Sequence, residues 1–213
     1  MNLITEPYLI QNARWPDTGR HILAQFDDNS IIVYQAYRPA IGRFAARHGY
    51  FGGEFSLSRM SWVKPNFLWM MYRSGWGCKP GQEITLAVRL QRAAFDSLLA
   101  AAVHSTYKEG IYGSENAWKQ RVAQSDVRLQ WDPDHHPSGA KLERRAIQLG
   151  MRGETLERYS HEWILAIEDV SEFVREQYEA VRAGDYERLV TPREMVYPQP
   201  PNTEHLQLSP YEK

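Results

Sequence analysis

The chain carries a single cysteine, Cys78, in 213 residues. That excludes an intrachain disulfide framework, and a thiolate metal centre would need more sulfur ligands. The formal net charge is −1, so no general attraction to polyanions is expected. No apolar run reaches the roughly 18 to 20 residues of a membrane-spanning helix. Met1–Pro7 has no basic region followed by an apolar stretch, so no secretory signal is predicted and the expected location is cytoplasmic. There is no internal repeat and no low-complexity segment. Gly75-Trp76-Gly77 lacks the spacing and the following helix of a Gly-rich phosphate loop, and no Gly-x-Ser-x-Gly elbow occurs. Cys78 sits between Gly77 and Lys79-Pro80, in an expected loop, and reads as a passive thiol.

What the chain does have is an uneven distribution of charge and rings. Between Ser30 and Pro80 lie Arg38, Arg43, Arg47, Arg59, Lys64, Arg73 and Lys79, against one acid, Glu54. From Met151 onward acids outnumber bases. Three of the seven tryptophans, Trp62, Trp69 and Trp76, fall in the basic segment, interleaved with Arg59, Lys64 and Arg73. Rings beside fixed cations suit a ligand with bases and phosphates, because bases stack on π-faces and cations meet phosphate oxygens. Cations embedded in so apolar a run must reach water, an acid or an anionic ligand. Arg38, Lys64 and Arg73 are therefore predicted to converge on one concave basic pocket. The competing reading puts Trp62, Trp69, Tyr72 and Trp76 in the core. Helical spacing favours that for at least two of them. Arg38 would then pair with Glu54 instead.

The apolar periodicity predicts an α+β fold, a single domain over residues 1–190 followed by a Pro-rich tail over 191–213 that lies along the body or is disordered. His21–Phe26 and Ser30–Tyr37 flank Asp27-Asp28-Asn29 and read as a hairpin. Pro39–His48 reads as a helix closed by Gly49, and Phe67–Tyr72 as a helix stopped by Gly75. Gln82–Leu90 alternates as a half-buried strand, and Gln91–His104 is a clear helix. Tyr107–Ser114 is an expected loop and Ala117–Gln124 a short helix. Val127–Trp131 is an expected strand, ended by a loop from Asp132 to Gly139. Arg145–Leu149 and Trp163–Ile167 are further short strands, separated by a polar helix over Glu154–Glu162. Asp169 or Ser171 would cap a helix reaching Arg182. Mixed strands and helices without regular βαβ spacing point to mixed or antiparallel sheets. Deleting the tail after Pro198 is expected to leave a folded protein.

Several residues stand as candidates. Asp132, Asp134, His135 and His136 are metal-ligand types, but a solvated loop accounts for them and no metal is expected. Gln130 and Trp131 precede that loop and would line a pocket. Arg145 and Arg152 are phosphate-ligand types or surface charges. Lys64 lacks the Lys-x-Asp-Gly context of a nucleotidyltransferase nucleophile, being followed by Pro65-Asn66-Phe67.

The motif order resembles a known but uncharacterised family. Tyr37-Arg38-Pro39, the run from Arg59 to Trp76, Val127–Pro133, Ala146–Gly150 and Trp163–Val170 together resemble domain-of-unknown-function family 4291. A looser likeness is to the ADP-ribosyltransferase-like fold, in which an early-strand Arg or His, a later Ser or Tyr and a distant Glu form the site. Arg38 fits the first position and Ser56 or Ser58 the second. Glu143 is the carboxylate this likeness implies. It precedes the expected strand, Glu154 follows it, and the strand itself carries Gln148. The likeness implies Arg38, Ser58 and Glu143 in catalysis. Tyr37, Arg38, Ser56, Lys64, Trp69, Arg73 and Gln148 would hold a nicotinamide dinucleotide (NAD). The alternative expectation is a non-catalytic protein that binds RNA, single-stranded nucleic acid or a nucleotide.

Overall fold

A computed structural model of the protein describes residues 3–211. The chain opens with β1 (Thr5–Pro7) and α1 (Tyr8–Asn12), then β2 (Leu23–Ala24) and β3 (Ser30–Tyr37). The predicted hairpin is present, with Phe26 bridged to Ile31. Its turn is fixed by the Asp27 carboxylate, which accepts from the N–H groups of Asn29 at 2.9 Å and Ser30 at 2.7 Å. Next come α2 (Pro39–His48), β4 (Ser61–Val63) and α3 (Phe67–Ser74). Pro39 opens α2, where its missing N–H has no intrahelical partner anyway, and Gly49 closes it at φ 76°. The Asn66 side chain caps α3 by accepting from the Trp69 N–H at 2.6 Å.

The second half continues with β5 (Ile84–Gln91), α4 (Arg92–Ala101), β6 (Val103–His104), α5 (Glu109–Tyr112) and α6 (Glu115–Gln124). The segment expected to be a loop from Tyr107 to Ser114 thus contains one helical turn. Then come β7 (Val127–His135), β8 (Lys141–Met151), α7 (Gly153–His161), β9 (Ile164–Asp169) and α8 (Ser171–Ala183). β10 (Val190–Pro192) and β11 (Met195–Val196) close the list of strands.

Two sheets dominate this α+β fold. One has the order β3-β5-β9 and is antiparallel; the other has the order β4-β8-β7-β6 and is mixed. They are stitched together by a backbone pair. The Tyr34 N–H donates to the Lys64 carbonyl at 2.7 Å and the Lys64 N–H returns to Tyr34 at 3.2 Å. β3 is buried on both faces, which explains its near-continuous apolar run. Ile31 and Val33 join a core with Phe95 and Leu98 of α4 and with Leu129 and Ile147 of the second sheet. Ile32 and Tyr34 join another core with Phe67 and Leu68 of α3 and Val174 of α8. Among the described residues no helix is long and apolar enough to cross a membrane.

Two expectations need correction. β7 does not stop at Trp131 but runs on to His135. Pro133 is accommodated because the pairing shifts register between Pro133 and His135, and a bulge tolerates a residue without an N–H. Asp134 is drawn in by a buried ion pair with Arg144 at 2.8 Å. The helix expected over Gln91–His104 ends at Ala101, and Val103–His104 form β6. Of the two placements expected for the Pro-rich tail, the segment after residue 190 lies along the body. β10 pairs with β1 and β11 with β2, and Tyr197 and Leu206 are buried.

Candidate functional site

The stitch between Tyr34 and Lys64 holds β4 beside the end of β3 and leaves a cleft of about 870 Å³. Its walls come from the end of β3 and start of α2, from the Glu54–Trp62 segment and from one face of α3. Gln130 and Gln148, on β7 and β8, close its floor. Alternation along a strand puts Trp62 and Lys64 on one face, and likewise Gln130 and Asp132. Gln130 is paired with Gln148 in register, and their side-chain amides meet at 3.2 Å.

The upper wall is organised by Gln35, a buried amide near the end of the largely apolar β3. Its amide nitrogen lies 2.8 Å from both the Tyr37 hydroxyl and the Ser61 hydroxyl. The Tyr37 and Ser61 oxygens are 2.7 Å apart. Behind them Tyr159, from α7, donates to the Gln35 carbonyl oxygen at 2.5 Å. Burial pushes the Tyr37 and Tyr159 hydroxyls well above their ordinary range, so both are neutral hydrogen-bonding groups.

Four cations line the cleft: Arg38, Arg59, Lys64 and Arg73. Arg38 caps the start of α2 and pairs with Glu54 at 2.6 Å, with both side chains more than half exposed. Such a rim pair contributes little to stability and opens readily to an anion. Arg73 reaches the cleft because it lies one turn after Met70, on the same face of α3. Lys64 is the deep cation, only 5% exposed. Burial, reinforced by Arg73, lowers its amine to about 8, against an opposing pull from Asp132. Burial raises the Asp132 carboxyl, while the Gln148 amide at 2.8 Å and Lys64 work the other way.

The expected site residues separate into two groups. Tyr37, Arg38, Ser56, Lys64, Arg73 and Gln148 all line this one cleft. Ser58 is bonded to Ser56 at 2.9 Å on the exposed segment and is not among the lining residues. Trp69 belongs to a different face of α3. It is buried and stacks on Tyr72 and His135 at 5.5 and 5.2 Å. Glu143 is exposed on β8, five residues from Gln148. Five steps reverse the face and cover roughly 16 Å, so Glu143 does not meet Arg38 and Ser56. The metal-ligand types also diverge: Asp134 holds Arg144, His135 lies under the Tyr72 ring, and His136 bonds Ser138.

Sequence reasoning missed Gln35, Ser61 and the role of Asp132. The signal for Gln35 was a lone amide in a buried strand, which must find partners inside. No local signal placed Asp132 behind the cleft floor, against Gln148, because its place depends on β7 passing through Pro133.

A family model matches residues 21–197, from just before β2 to just beyond β11. The chain belongs to the family described as Domain of unknown function (DUF4291). No curated protein matches it. The DUF4291 match takes in every residue that lines the cleft, and it leaves out β1 and α1.

Proposed function

We propose that the cleft binds a nicotinamide dinucleotide and that the protein acts on it in the manner of an ADP-ribosyltransferase. The observation that carries this reading is the convergence of Arg38, Arg59, Lys64 and Arg73 on one open, polar cleft. Its volume falls within the roughly 300–1,000 Å³ typical of small-molecule sites. The arginines offer planar forks to a pyrophosphate. The Gln130–Gln148 amide pair offers donors and acceptors to a base or carboxamide. Ser61 and Tyr37 offer hydroxyls to a ribose. With Glu143 remote, Asp132, held just behind the floor by the Gln148 amide at 2.8 Å, is the carboxylate assigned to stabilise an oxocarbenium-like transition state, by electrostatics rather than by bond formation.

One observation favours the second reading, binding of a nucleotide or single-stranded nucleic acid without turnover. Arg38 is engaged by Glu54, and the Arg–Ser–Glu set of the transferase likeness is not assembled around it. Release of nicotinamide from NAD, followed by chromatography with wild type and Asp132→Asn, separates the two. Turnover by wild type that falls at least about a hundredfold in Asp132→Asn supports transfer. Saturable binding with no nicotinamide release supports the binding reading.

A further inference from the structure

Lys64 is placed with unusual firmness for a lysine. Both of its backbone polar groups bond to Tyr34, and Pro65 follows, which fixes φ just beyond it. The side chain enters the deep end of the cleft and is almost fully buried. Its ammonium makes no hydrogen bond and no ion pair with any described residue. The charged groups facing it are Arg73 from α3, which repels it, and Asp132 from β7, which attracts it. Arg38, Glu54 and Arg59 line the same cleft from its upper wall. The Lys64 stem is buried while its head meets the cleft, so the charged form keeps only part of its hydration and is repelled by Arg73; the neutral amine is the form such a position favours. A cation needed only to hold phosphate is better supplied by arginine, which stays charged at any depth.

We propose that Lys64 is a nucleophilic amine that forms a Schiff base with a phosphorylated aldehyde, such as the open-chain form of a ribose phosphate, with Arg59 and Arg73 holding the phosphate. The amine lone pair attacks the carbonyl carbon, and the carbonyl π electrons move to its oxygen, which takes up a proton. The resulting carbinolamine loses that hydroxyl as water. Water in the open cleft supplies the proton to the departing hydroxyl and takes one from nitrogen, while the nearby Asp132 stabilises the positive charge that passes through nitrogen. The sum is aldehyde plus amine giving imine plus water, with no oxidant or reductant consumed. Its chemistry goes beyond the transfer reading and does not depend on it, since it needs neither a dinucleotide nor nicotinamide.

The chemistry has a quantitative basis. With the amine lowered from 10.5 to about 8, roughly a quarter is unprotonated at pH 7.5. For an ordinary lysine the fraction is roughly a thousandth. Lower basicity makes each amine a weaker nucleophile, so the net preference expected over surface lysines is at least about tenfold.

The test uses the whole protein with ribose 5-phosphate and sodium cyanoborohydride at pH 7.5, read by intact mass and peptide mapping. The expected result is modification of Lys64 at least about tenfold faster than of the exposed Lys79, Lys108, Lys119 and Lys141. Inorganic phosphate should slow it, and unphosphorylated ribose should react more slowly. Lys64→Arg should lose the fast phase while still unfolding cooperatively. Mapping on wild type alone decides the matter if that variant does not fold. Modification of Lys64 no faster than of the surface lysines would overturn the proposal, as would a fast phase that survives Lys64→Arg. Equal rates with ribose would overturn the assignment of phosphate to the arginines.

Discussion

Replacing Lys64 by methionine should make the protein more stable at neutral pH. Methionine is close to lysine in length and shape but carries no charge, so it fills the same place in the cleft wall without an ammonium to desolvate. The amine falls from 10.5 to about 8 on folding, and each tenfold in that shift corresponds to about 1.4 kcal/mol. The protonated folded state therefore carries a cost of about 3 kcal/mol. Asp132 loses a favourable partner in the variant, which takes back part of the gain and leaves about 2 kcal/mol. For a chain of this length that corresponds to a melting temperature higher by roughly 4–8 °C. The pH dependence follows from the direction of the shift. A folded-state value below the unfolded one means that the cost is fully present below about 8. It fades as pH rises toward the unfolded value near 10.5, where the unfolded amine also loses its proton. The gap between Lys64→Met and wild type should thus be widest at pH 7 and should narrow by pH 10. Thermal unfolding of both proteins across that range is the assay, and subtracting the curves cancels the tyrosines and other groups. A variant less stable than wild type at pH 7, or a gap independent of pH, would refute the reasoning.

Other outcomes follow from the same contacts. Gln35→Leu leaves the Tyr159 hydroxyl buried without its acceptor and should cost about 1–3 kcal/mol in chemical denaturation, while loosening Tyr37 and Ser61. Truncation after Pro198 removes the buried Leu206, whose carbonyl accepts from the Trp131 ring N–H at 3.2 Å. The burial alone amounts to about 2 kcal/mol, so the truncated chain should still fold, as expected from its proline content, but unfold at lower denaturant than the full chain. Glu143→Ala should leave nucleotide affinity unchanged within about twofold in the same titration that registers the arginine variants.

Much of the fold was legible because local rules agreed with tertiary context. Pro39 and Gly49 bracketed α2, Gly75 stopped α3, and β3 and β5 announced themselves by pattern. The convergence of Arg38, Lys64 and Arg73 followed from one observation, that cations in an apolar run need a common outlet. What stayed hidden depended on phase and register. Trp69 and Met70 are neighbours in sequence, yet helical rotation puts one in the aromatic stack with His135 and the other on the cleft. Glu143 and Gln148 share a strand, yet an odd spacing puts them on opposite faces. Pro133 read as a stop because nothing in its neighbourhood revealed the bulge that accommodates it. The proline-rich ending read as a tail because its pairing partners, β1 and β2, lie at the other end of the chain.

Calorimetric titration of NAD into wild type and Arg73→Ala tests the central claim most directly, that this cleft holds a phosphate-bearing dinucleotide. A charge-assisted guanidinium–phosphate bond contributes about 1.5–3 kcal/mol. Wild type should therefore bind saturably at one site, and Arg73→Ala at least about tenfold more weakly with its melting temperature unchanged. No heat of binding from folded wild type, or an affinity indifferent to Arg73→Ala, would contradict the account.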